Sequence, residues 1–196
     1  MDERDLSSDP IPSLRAWLHE AEQASRQPLV TTLATATTDG RPSARIVLLR
    51  GVDDLGLTFF TNRDSRKGEE LRVNPRAALV LHWWDLGWQV RVEGTVEEIA
   101  RAESSEYWQS RPRGSQIAAW ASAQSRTLVD REELDEAYAE AEARFAGGDV
   151  PLPDHWGGYR VQPDVIEFWR HRENRLHDRV RYTREPDGWR RERLAP

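Results

Sequence analysis

Apolar and polar positions along the chain follow two different periods, and each change of period marks an element. Leu14, Trp17, Leu18 and Ala21 fall at helical spacing, which predicts an amphipathic helix from Pro10 to about Gln27-Pro28. The next segments read as strands. Residues 29–37 are rich in Val, Thr and Leu, Thr38-Asp39-Gly40 signals a tight turn, and residues 43–50 alternate about Ile46, Val47 and Leu48, so a hairpin is predicted. A second turn at Gly51 to Gly56 leads to a short strand at 57–61. Ser65 stands where it can cap a helix running through Leu71, with Asn74-Pro75 ending it. Two further strand-length runs, 77–84 and 88–96, flank Asp85-Leu86-Gly87. Five strands by residue 98 without a crossover helix favour an antiparallel barrel or sandwich over a doubly wound sheet.

From Glu97 to Asp149 the chain carries 12 acidic against 6 basic residues and reads as helical, with Asp130 and Glu133 as a capping pair for a helix ending near Gly147-Gly148. After Val150-Pro151-Leu152-Pro153, strands are predicted at 159–161, 164–169, 180–183 and 188–193. Residues 1–9 are polar and read as a disordered arm. Residues 10–196 read as a single domain of mainly β, α+β class.

Composition narrows the function. With 196 residues, 38% of them hydrophobic and nine of them Trp, the chain can bury a real core. The lack of Cys excludes disulfides, thiolate metal sites and a cysteine nucleophile. No window approaches the ~18 apolar residues of a membrane span, and the first residues lack the pattern of a signal peptide, so a cytoplasmic protein is expected. A net charge of −6 argues against binding nucleic acid by bulk charge. Lys67 is the one Lys among 28 basic residues, and ten Arg fall between Arg160 and Arg193. Arg suits bidentate grips on phosphate or carboxylate, so a small anionic ligand is indicated; biased base composition is the alternative source of the excess.

The dinucleotide and P-loop glycine signatures are missing, and the five His are scattered without ligand spacing, so no metal site is expected. Polar clusters next to strand ends remain. Strand alternation puts Arg45, Val47 and Leu49 on one face and Ile46, Leu48 and Arg50 on the other. Arg66 and Lys67 fall in the first turn of a helix, where cations oppose the macrodipole. Either an anion sits there or the two cations face solvent. Tyr107, Arg111, Arg113 and Ser115 form a donor set for a second phosphate, or else a polar linker. Arg175, His177 and Arg179 alternate and project from one face if the segment is extended.

These strings, in order, resemble one family. Arg45 to Arg50, Phe59-Phe60-Thr61-Asn62, Ser65-Arg66-Lys67, Gln89 to Gly94, Ser110-Arg111-Pro112, Ser115-Gln116-Ile117, Ala119 to Ser122 with Gln124-Ser125, and Glu167-Phe168-Trp169 with Arg175-Leu176-His177-Asp178-Arg179 are similar to the pyridoxamine 5′-phosphate oxidases. The match runs from about residue 14 to Pro196, and 175–179 is its most diagnostic piece.

The resemblance implies an antiparallel FMN-binding split β-barrel with peripheral helices. It further implies a homodimer with FMN at the interface. FMN contacts would be Arg45, Ile46, Val47, Leu48, Phe60, Thr61, Arg66, Lys67, Gln89, Gln124, Ser125, Trp169 and Arg179. The substrate phosphate would be held by Arg50, Tyr107, Arg111 and Ser115, with Arg175 and His177 as the catalytic pair holding the pyridine ring. The implied reaction takes pyridoxamine or pyridoxine 5′-phosphate to pyridoxal 5′-phosphate, with O2 as acceptor and hydrogen peroxide as product. Four features depart from the family pattern: Arg50 in place of Lys, Trp88 in place of Arg, Arg170-His171 in place of Gln-Gly, and a short N-terminal arm. Two alternatives stand beside this reading. One is a paralogue of the phenazine-biosynthesis flavin oxidases; the other is a non-catalytic flavin or pyridoxal-phosphate binding protein.

Overall fold

In the computed structural model, which describes residues 6–196, the predicted hairpin of β1 (Val30–Ala36) and β2 (Pro42–Asp53) turns at Gly40, whose φ of 84° suits glycine. β2 runs three residues past Arg50, through a bulge between Leu49 and Gly51, and then pairs with β3 (Gly56–Asn62). β4 (Arg76–Trp83) lies on the other side of β1, followed by β5 (Trp88–Glu98) and β6 (Trp156–Arg170). β6 also pairs with β3, which closes six antiparallel strands into a barrel, while β7 (Asp178–Glu185) and β8 (Gly188–Arg193) extend the sheet beyond β6. The expected antiparallel split barrel with peripheral helices is the observed fold.

Inward positions of the strands fill the barrel. Leu33, Leu49, Leu57, Phe59, Leu79, Leu81, Val90, Val92, Val161, Ile166 and Phe168 are all buried. Helix α1 (Pro10–Ala24) starts at Asp9, whose carboxylate accepts from the Ile11 amide, and it buries Leu14, Trp17, Leu18 and Ala21. Its Trp17 packs against Trp88 at 4.4 Å and meets Phe168 edge-on at 5.0 Å. A second apolar cluster, built on Trp108, Ile117, Ala141, Val150 and Trp156, holds α3 (Arg101–Ser110), α4 (Arg113–Ala121) and α5 (Arg131–Arg144) beside the start of β6. The capping pair of α5 forms as expected: Asp130 accepts from the Glu133 amide, and the Glu133 carboxylate accepts from the Val129 amide.

Four expectations are corrected. The expected arm over 1–9 is packed in its second half, since Leu6 is buried and the Ser7 carbonyl accepts from the Tyr182 hydroxyl; residues 1–5 lie outside the described residues. The strands expected at 159–161 and 164–169 are one strand, β6. Pro163 does not break it because Pro163 faces Gly94 at a bulge, where the ladder can do without its N–H. Ser65 occupies the N-cap position of α2 (Arg66–Val73) without capping it, its hydroxyl donating instead to the Asn62 carbonyl. The segment carrying Arg175 and His177 is not extended: a helical turn spans Glu173–Arg175, with φ of 56° at Asn174 and 62° at Arg175. The reversal from β6 to β7, which pair Arg170 with Asp178, requires that turn.

Candidate functional site

The expected site residues fall into two groups. The first surrounds the end of β3. Lys67, 7% exposed, donates to Thr61 Oγ1 (3.1 Å), Ser65 Oγ (2.9 Å) and Gln124 Oε1 (2.9 Å), so the ammonium gathers β3, the start of α2 and the loop after α4. Burial, and then the neighbouring Arg45, push the Lys67 ammonium down to about 8. Ser125 follows Gln124 with a φ of 73° and is exposed.

Beneath these groups lies Glu70, 4% exposed, which sequence reasoning missed. Its carboxylate accepts from the Thr35 hydroxyl, from Ser43 Oγ (2.6 Å) and from Arg66 Nε (2.8 Å), and Arg45 Nη2 approaches to 3.4 Å. Burial would raise its pKa, but the hydrogen bonds from Ser43, Thr35 and Arg66 and the Arg66 charge outweigh it and hold the carboxyl at about 2. The available signals were the i,i+4 spacing of Arg66 and Glu70 and the cross-strand register of Thr35 with Ser43.

Burial along β2 alternates as expected. Arg45, Val47 and Leu49 point inward, whereas Ile46 (59% exposed), Leu48 (44%) and Arg50 face out. Next to Thr61, Phe60 stacks on Tyr107 at 4.1 Å, and the Arg50 guanidinium lies 5.4 Å from the centre of the Tyr107 ring. Arg111 lies over Trp156 at 4.7 Å and donates to the Ser115 carbonyl (2.9 Å), yet its buried Nε has no partner among the described residues. Burial lowers the Arg111 pKa most; Tyr107 opposes that shift and Arg50 adds to it. A cleft of about 370 Å³ joins Phe60, Thr61 and Gln124 to Arg111, Ser115 and Trp156. The structure thus brings expected cofactor contacts and expected substrate contacts to one cavity.

The second group lies at the far end of β6. Cross-strand register sets Gln89 beside Trp169 and Trp169 beside Arg179. The His177 ring sits 4.5 Å from Trp169, and its Nδ1 accepts from the Arg172 amide (3.2 Å), so the neutral ring carries its proton on Nε2. Arg179 is gripped by buried Glu167 through two bonds of 2.8 and 3.1 Å. Exposed Arg175 makes no ion pair among the described residues. Trp156 and Trp169 are 13 positions apart on β6, about 40 Å at ~3.3 Å per residue. A single chain therefore does not bring the two groups together.

A closed six-stranded antiparallel barrel carrying a polar cleft beside β3 is the architecture of the split-barrel proteins. Residues 18–145 match the family model described as pyridoxamine 5′-phosphate oxidase, and residues 156–196 match that of the pyridoxine 5′-phosphate oxidase C-terminal dimerisation region. Pyridoxine/pyridoxamine 5′-phosphate oxidases of Rubrobacter xylanophilus and Salinibacter ruber are each 54% identical to this chain. The first match covers 96% of this chain and 87% of the relative, the second 97% and 91%. Among solved structures, PhzG from Burkholderia lata in complex with tetrahydrophenazine-1-carboxylic acid superposes with a TM-score of 0.93 at 38% identity, covering 98% of this chain and 95% of that one. A pyridoxamine 5′-phosphate oxidase-related, FMN binding protein from Nostoc punctiforme shares the fold, with a TM-score of 0.77, 17% identity, and coverage of 97% and 100%. The chain belongs to the pyridoxamine 5′-phosphate oxidase family of oxidoreductases.

Proposed function

We propose that this protein is an FMN-dependent oxidase that converts pyridoxamine or pyridoxine 5′-phosphate to pyridoxal 5′-phosphate. O2 is the final acceptor, hydrogen peroxide is a product, and the enzyme works in the cytoplasm as a homodimer. The observation that carries the reading is the cleft lined by Arg111 and Ser115 together with Thr61 and Gln124, both of which accept hydrogen bonds from Lys67. One donor set serves a cofactor phosphate and the other a substrate phosphate.

The residues present fit FMN. Lys67, Thr61 and Gln124, with Arg45 and Arg66 steadied by Glu70, supply cationic and neutral donors for its phosphate. When bound, FMN supplies a hydride acceptor that O2 reoxidises. The chain's own part is binding and orientation. Arg50, Tyr107, Arg111 and Ser115 hold the substrate phosphate, which anchors the reacting carbon at a fixed distance. His177 offers its Nε2 proton as a donor to the substrate, and Arg175 adds charge without a competing carboxylate partner. Because the two groups lie at opposite ends of β6, a second copy completes each site; the exposed Ile46 and Leu48 on β2 and the match to a dimerisation region support this.

The likeness to PhzG favours a second reading, oxidation of a reduced tricyclic acid. The 54% identity to B6-phosphate oxidases, against 38% to PhzG, supports the phosphorylated substrate. An aerobic assay of the purified protein with pyridoxamine 5′-phosphate, following aldehyde and peroxide together, tests the proposal. Failure to form either product, with turnover of tetrahydrophenazine-1-carboxylic acid instead, would replace it by the second reading.

A further inference from the structure

Glu70 is joined to two guanidiniums from two different elements, Arg45 of β2 and Arg66 of α2. Neutralising a buried carboxylate needs one such partner, and the Thr35 and Ser43 hydroxyls already satisfy Oε2. We propose that Glu70 is a positioning residue for the anion pocket: its carboxylate fixes Arg45 and Arg66 relative to Lys67 so that together they receive a phosphate group. This rests on the reading of the pocket as the FMN-phosphate site.

The charge balance fits. Arg45, Arg66 and Lys67 with Glu70 leave two net positive charges, the complement of a phosphate dianion at neutral pH. Glu70 accepts from Arg66 Nε, and the Nη groups of that side chain donate no hydrogen bond among the described residues, so they remain available to a ligand. Arg45 is held more tightly: Nη1 donates to Thr35 Oγ1 (2.6 Å) and Nη2 to Ser43 Oγ. The same two hydroxyls that anchor Glu70 thus anchor Arg45, and the three side chains form one unit between the β1–β2 hairpin and α2.

Glu70→Gln keeps the shape and removes the charge. The measurement is the affinity of the apoprotein for FMN and for riboflavin, by quenching of flavin fluorescence, because the ratio isolates the phosphate and a merely structural loss would lower both alike. The expected result is a loss of about tenfold in the preference for FMN, with riboflavin affinity nearly unchanged. An unchanged preference, or tighter FMN binding, would overturn the role of Glu70 while leaving the pocket assignment intact. A wild-type protein that does not prefer FMN would overturn the pocket assignment itself. If Glu70→Gln fails to fold, Ser43→Ala decides. It removes one anchor of the carboxylate and leaves every charge in place, so the preference should fall about threefold; no fall would refute the proposal.

Discussion

The lowered pKa of Lys67 gives flavin affinity and apoprotein stability opposite responses to pH. Its ordinary value is 10.5 and burial brings it to about 8, so the folded apoprotein holds this proton less tightly than the unfolded chain. Charged Lys67 therefore costs stability below pH 8, and that cost is relieved as pH rises from about 8 to 10.5. At 1.36 kcal/mol per pH unit the whole span is worth at most about 3 kcal/mol. A phosphate dianion beside the ammonium favours the charged form, so FMN binding takes up a proton above pH 8. Affinity should be full below pH 8 and fall as pH rises through it. Restoring the ordinary value on binding predicts about a 30-fold loss between pH 7 and 9.5, a window in which the phosphate stays dianionic. Titration of the apoprotein with FMN across that window, alongside thermal melts without flavin, reads both signs. Lys67→Met should bind FMN weakly at every pH and lose the slope. A flat FMN affinity in the wild type, or a slope that persists in Lys67→Met, would refute the argument.

Three further outcomes are expected. Arg111→Ala should raise KM for pyridoxamine 5′-phosphate with kcat little changed, because a remote phosphate grip acts in ground and transition states alike; steady-state kinetics with phosphorylated and unphosphorylated substrate check this. Arg175→Ala and His177→Ala should slow anaerobic flavin reduction on the order of 10²-fold with FMN content intact, and a normal rate in stopped flow would remove both from the active site. Gly68→Ala should destabilise the protein by about 3 kcal/mol in urea unfolding and weaken flavin binding, since a Cβ there would meet the Arg63 carbonyl oxygen at 2.0 Å and push α2 off its loop.

Local signals made much of this fold legible. Gly40 and the Thr-rich flank give the first hairpin, Asp130 and Glu133 give the start of α5, and alternation correctly divides Arg45 from Ile46. The features hidden from a sequence reading are non-local or compensated. Closure of the barrel by β3 against β6 joins residues about a hundred positions apart, and no local pattern encodes it. Pro163 reads as a break because its tolerance depends on Gly94 across the ladder. Arg175 reads as extended because nothing local requires a left-handed backbone at a non-glycine residue; the tertiary reversal does. In the site, cations are visible as exceptions to helix-dipole rules, while Glu70 and Glu167, which hold them, look like ordinary surface acids until their burial is known.

The length of β6 has a genetic corollary. If each active site takes its β3-end group from one copy and its β7-end group from the other, a chain defective at Lys67 and a chain defective at His177 fail separately but rescue one another. Half of the sites in a mixed dimer then pair two intact groups, and the other half pair two damaged ones. Two inactive alleles expressed together should yield about a quarter of wild-type activity with random assortment. Dominance in this enzyme would thus depend on which end of a single strand a mutation strikes.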